Sequence, residues 1–175
     1  MILWELARAS AFVAFGCYTL VVMWGILLAG RGFRPAAPAL AFHRFLSSLG
    51  LVAVVTHVTA LLLDSYSKVH LPALAGIGTS PSVTLGAIAL WLTVALPLSI
   101  RLRRWKLISQ RAWRAFHYSG YAVWVLILLH GLARGTDSKS PLAASAYAAA
   151  AAMVAGVTWW RWSKRPVPRV LRESA

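Results

Sequence analysis

Charge is scarce in this chain. Charged side chains make up 13% of its 175 residues, against about a quarter in an ordinary soluble domain. Cysteine is nearly absent too: Cys17 is the only one, and it lies inside an apolar run. That excludes an intrachain disulfide and a thiolate metal cluster. No glycine-rich phosphate loop follows a strand-like run, which leaves no room for a soluble nucleotide-binding domain or a flavin site. No basic leader opens the chain, and the first apolar run ends in Gly30-Arg31-Gly32 rather than a small-residue cleavage site. A cleavable signal peptide is therefore not expected. The apolar runs lack the alternation of barrel strands. Acidic residues are fewest of all, four Asp and Glu against 18 Lys and Arg, for a net charge of +14. A basic balance alone would suggest nucleic acid. Here the basic residues flank apolar runs and read as membrane-topology signals, so no nucleic-acid partner is expected.

What is present is apolar sequence, 59% of the chain, with a mean hydropathy of +0.68. Disorder is excluded, because disordered chains have low hydrophobicity. The class is an all-α integral membrane protein whose length allows five or six spans of about 20 residues each. Five can be drawn: about Ala7 to Gly30, Leu40 to Leu63, Ser82 to Ile100, Trp113 to Ala133 and Leu142 to Trp160. All are expected to be helices, since lipid offers no partner to an unpaired backbone group. Residues 1–165 then form one bundle, and 166–175 a basic cytoplasmic tail behind Pro166 and Pro168. The alanine run Ala148 to Ala152 suits close helix packing. Trp4, Trp105, Trp113, Trp159, Trp160 and Trp162 fall near span ends and read as interfacial belts.

Fourteen of the basic residues collect on one side: Arg31, Arg34, Arg44, Arg101, Arg103, Arg104, Lys106, Arg111, Arg114, Arg161, Lys164, Arg165, Arg169 and Arg172. Arg8, Lys68, Arg134 and Lys139 fall on the other. The positive-inside rule makes the first side cytoplasmic, with the N-terminus outside and the C-terminus inside a cell membrane. Spans two and four then run parallel.

Four of the five histidines lie within those two spans: His43 and His57 in the second, His117 and His130 in the fourth. Ionisable residues inside membrane helices are rare and mark function. His43 and His57 are 14 residues apart, a rise of about 21 Å that brings the second back to within about 40° of the first. His117 and His130 are 13 apart, a rise of about 19.5 Å. Matched rises on parallel helices put His43 opposite His117 and His57 opposite His130, one pair near each membrane face. Two imidazoles flanking a planar cofactor make a bis-histidine haem site, and such iron passes electrons without an open position for substrate. Thirteen residues of ideal helix turn about 220° beyond whole turns. Local overwinding, or a helix end loosening at His130 beside Gly131, must make up the difference.

The neighbours of these histidines suit haem without being specific to it. Gly50 is seven residues from both His43 and His57 and would let a macrocycle lie against the backbone; helix packing is its other reading. Gly120 could do the same. Tyr121, Val123 and Trp124 lie between the two levels. Arg44 and Arg114 at the inner level, and Arg134 with Lys139 at the outer, could pair with propionates; for each, topology charge is the alternative. His70 and Asp137, on the outer side, are candidates for an acceptor or metal site above the outer haem.

The pattern Phe42-His43-Arg44 with His57, then Trp113-Arg-Ala-Phe-His117-Tyr-Ser-Gly-Tyr121 with His130, resembles the ferric reductase-like transmembrane domain. That superfamily includes NADPH oxidases, ferric reductases and the membrane partner of bacterial methionine sulfoxide reductase. The segment His130-Gly-Leu-Ala-Arg-Gly-Thr-Asp137 also looks like its small bacterial members, and the similarity spans about Val13 to Trp160. The resemblance implies a helical bundle holding two b-type haems, with electrons moving from the inner to the outer one. The family's oxidases have six spans and a cytosolic FAD and NADPH domain. Here five spans are drawn and the chain stops soon after the last. A separate flavoprotein or a membrane quinol is therefore expected as donor, and ferric iron, oxygen, a quinone or a partner redox protein as outer acceptor. The basic loop Arg101 to Arg114 could dock an acidic donor. The chain would be a transmembrane oxidoreductase or the electron-transfer subunit of a complex. The alternatives are a haem-free histidine proton relay or transporter, and a non-catalytic membrane anchor. Neither needs two histidine pairs at matching depth.

Overall fold

A computed structural model describes residues 1–29 and 37–164. The helices are α1 (Ile2–Leu28), α2 (Ala37–Leu63), α3 (Pro81–Arg104), α4 (Gln110–His117), α5 (Ser119–Arg134) and α6 (Pro141–Ser163), with a short 3-10 helix at Leu71–Ala75. No strand occurs among the described residues. With α4 and α5 taken as one span, five segments are long and apolar enough to cross a membrane. This is the architecture of a multi-pass helical membrane protein. Arg31 and Arg34 and the basic tail 166–175 lie outside the described residues.

The helices run a few residues past the apolar stretches. The 27 residues of α1 and of α2 reach about 40 Å each, more than the roughly 30 Å of a hydrocarbon core. At the basic end, α3 keeps Arg101, Arg103 and Arg104 in its last turn, where cations complement the helix dipole. Starts are set by side chains: Ser109 and Ser140 accept hydrogen bonds from the Ala112 and Ala143 N–H groups, and Pro81 and Pro141 occupy first-turn positions that need no donor.

Packing sorts the bundle into two pairs. α1 lies along α2, and α3 along α5; α6 closes on α1. α2 barely touches α3 and is not packed on α5. Tyr18, Val22 and Ile26 of α1 meet Trp124 and Val154 in the main core, and Phe15 meets Ala143, Tyr147 and Ala150. Within the alanine run, Ala150 is buried while Ala148 and Ala149 are exposed, so one face of that run does the packing. Two ties hold the ends. Arg161 donates to the Ile26 and Ala29 carbonyls at 3.0 and 2.7 Å, capping α1. At the opposite end, Arg8 grips Asp137 through two bonds of 2.6 and 2.9 Å.

Candidate functional site

The two pairs of packed helices leave a gap between α2 and α5, and those are the elements that carry His57 and His130. Both line a cavity of about 600 Å3 at the Arg8 end of the bundle. Its walls include Ala7 and Ala11 of α1, Gly86 and Ala87 of α3, and Arg134 and Asp137 beyond His130. The cavity size falls within the range of sites that hold organic cofactors.

Each of these two histidines is held by a backbone carbonyl of a neighbouring helix. His57 Nδ1 lies 2.8 Å from the Ala7 carbonyl oxygen, and His130 Nδ1 lies 2.7 Å from that of Ser82. A carbonyl only accepts, so Nδ1 carries the proton in both rings. Nε2 then keeps its lone pair. This is the hydrogen bonding that orients a metal-ligating imidazole and raises its basicity.

His43 and His117 meet at the basic end. Their ring centres are 6.4 Å apart, with the planes inclined at 63°. A ligating imidazole nitrogen sits about 2 Å from its metal, so two imidazoles on opposite sides of one ion have ring centres roughly 6 Å apart. His117 ends α4 and stacks on Trp113 at 5.2 Å. Arg103 lies over the Trp113 ring, 4.7 Å from its centre. His43 Nδ1 is buried with no hydrogen-bond partner, unlike its counterparts in the other pair. Among the described residues no three His, Cys, Asp or Glu side chains gather to hold a metal unaided. Two imidazoles cannot complete a tetrahedral zinc site. They do suffice for an ion whose remaining positions are filled by a macrocycle.

The fourth span tightens beside His117 and runs on unbroken past His130. Helix α4 stops at His117, and the Tyr121 N–H bonds to the Tyr118 carbonyl at 3.1 Å, three residues back. Such a tightened turn advances about 120° per residue instead of 100°, supplying part of the missing rotation. The helix end is not loosened at Gly131; α5 continues to Arg134. Gly131 instead admits Tyr147 of α6, whose hydroxyl would stand 2.7 Å from an added Cβ.

Several expected neighbours have other work. Gly50 faces α1, where an added Cβ would meet the Tyr18 ring at 3.1 Å and Cys17 at 3.3 Å. It allows α1 and α2 to pack closely, which is the packing reading of this glycine. Gly120 has only Leu96 near it, at 4.0 Å. Trp124 is buried in the main core, and its indole N–H donates to Thr19 at 3.0 Å. Val123 is wholly buried. Tyr121 is exposed and stacks on Tyr118. Arg44, Arg114 and Lys139 are exposed and make no ion pair among the described residues; Arg134 is exposed on the cavity wall. Asp137 lines the cavity, but its carboxylate is engaged by Arg8. His70 is exposed at the start of the 3-10 helix and lies off the cavity, which separates it from Asp137 as a candidate acceptor residue.

Gly86, Lys68 and the two carbonyls escape a sequence reading. Lys68 lines the cavity with a left-handed backbone, φ 52°. A glycine in an apolar helix was the visible signal for Gly86; a carbonyl has none.

No family model, curated protein or solved structure matches the chain.

Proposed function

We propose that the protein is a two-haem transmembrane cytochrome b of the ferric reductase-like kind, carrying electrons from a cytosolic flavoprotein or quinol to an acceptor on the outer side. One observation carries this reading. His43 and His117 lie with ring centres 6.4 Å apart, and His57 and His130, 14 and 13 residues further along the same spans, line one cavity beside the gap between α2 and α5. A haem bound at each pair would supply a one-electron iron couple. His43 and His117 would hold one, His57 and His130 the other. Ala7 and Ser82 orient the second pair through Nδ1. Arg134 stands on the wall of that cavity and could meet propionates there. Arg44 and Arg114 could do so at the first pair. The pairs are roughly 20 Å apart along the helices, most of the way across a core of about 30 Å.

The basic end holds Arg101, Arg103, Arg104, Lys106, Arg111 and Arg114, which supports placing it in the cytoplasm of a cell membrane. The same cluster would attract an acidic electron donor. The chain would act as an oxidoreductase or as the electron-transfer subunit of a larger complex.

The purified protein is expected to give a sharp b-type alpha band on reduction with dithionite, and a pyridine haemochrome assay two haems per chain. A colourless, folded protein would overturn the reading. Reduction by a quinol or a flavoprotein, then reoxidation by ferric chelates, oxygen or quinones in turn, identifies donor and acceptor.

A further inference from the structure

We infer that Gly86, together with the Ser82 carbonyl, forms a seat on α3 that positions His130, and that the missing side chain at Gly86 is what admits the ring. This rests on the haem reading for the ligand role of His130. A Cβ on Gly86 would stand 2.7 Å from His130 Cε1, 2.8 Å from Nδ1 and 3.1 Å from Nε2. Two of these distances are under 3.0 Å, so with a side chain at position 86 the imidazole would have to shift.

The geometry has a helical cause. A helical side chain covers the turn N-terminal to its own Cα. Position 86 would therefore cover the carbonyl four residues earlier, which is that of Ser82. With glycine there, the carbonyl is open sideways. Its second lone pair, left after the helix bond, can accept from His130 Nδ1. The same construction recurs across the cavity. Ala7 receives His57, and the residue four further on is the small Ala11, also on the cavity wall. The other histidine pair lacks it: His43 Nδ1 has no partner, and its close neighbour Gly25 would place a Cβ at an ordinary 3.5 Å. Gly86 is thus a positioning residue. It acts through the direction and basicity of the imidazole, not by touching an acceptor.

The test compares Gly86→Ala, His130→Ala and the double variant, with Gly16→Ala as control, since nothing lies within 4 Å of a Cβ there. Gly86→Ala is expected to weaken retention of the haem at the His57 and His130 level on the order of tenfold. Any haem retained should titrate at a raised midpoint potential, because an imidazole without its Nδ1 bond is a weaker donor to ferric iron. The haem at His43 and His117 should keep its potential. In the double variant the clash has no ring to meet, so its thermal stability and haem content should equal those of His130→Ala. Wild-type potentials in Gly86→Ala, or a further loss of stability from Gly86→Ala on the His130→Ala background, would overturn the seat while leaving the haem reading intact. A wild-type protein without haem would remove that reading and the ligand role with it.

Discussion

Imidazoles inside a lipid-embedded bundle need partners, because an unsatisfied ring nitrogen away from water is costly. His57 and His130 meet half of that need through carbonyls and leave one nitrogen each for a ligand. If the proposed two haems are present, replacing either by alanine is expected to lower the haem content from two per chain to one, sparing the low-spin signal of the His43 and His117 pair; electron paramagnetic resonance separates the two sites. Loss of both signals would contradict independent pairs. Gly50 makes a different statement. With the Tyr18 ring already 3.1 Å from a built Cβ, Gly50→Leu should force α1 away from α2 and destabilise the protein by about 1–3 kcal/mol. A thermal melt in detergent reads this out, and Gly120→Ala is the mild control.

The fourth span shows how an element can be regular in sequence and irregular in structure. α4 and α5 meet at Tyr118 through a three-residue hydrogen-bonded step, which bends the phase relation between His117 and His130. One alanine inserted between Tyr118 and Ser119 would rotate α5 by about 100° and turn His130 off the cavity. One haem per chain should remain, in a protein that still inserts. Capping belongs at this scale too. Arg161 satisfies two carbonyls at the end of α1, a role beyond orientation charge. Arg161→Ala is expected to cost on the order of 1 kcal/mol, visible as a lowered melting temperature.

At the scale of the molecule, the ends differ in charge and in construction. Arg44, Arg101, Arg103, Arg104, Lys106, Arg111, Arg114, Arg161 and Lys164 share the end where α1, α3 and α6 finish. Arg8, Lys68, Arg134 and Lys139 share the other. The buried Cys17 is the only thiol, so cysteines introduced at Lys106 and Lys139 report sidedness without interference. Lys139→Cys should react with an impermeant reagent on intact cells, and Lys106→Cys only after permeabilisation. The reverse pattern would invert the proposed direction of electron flow.

Apolar run length was enough to determine five spans and their helical nature, because lipid forbids unpaired backbone whatever the neighbours do. Spacing alone placed the histidines at two depths, since rise per residue is a local property of any helix. Which faces meet is not local. Gly50 and Gly86 look alike in the chain, yet one packs against Tyr18 and the other against His130. The carbonyls of Ala7 and Ser82 have no sequence signature at all. Only the folded arrangement, with α1 on α2 and α3 on α5, decided that the gap between the pairs falls where the imidazoles are.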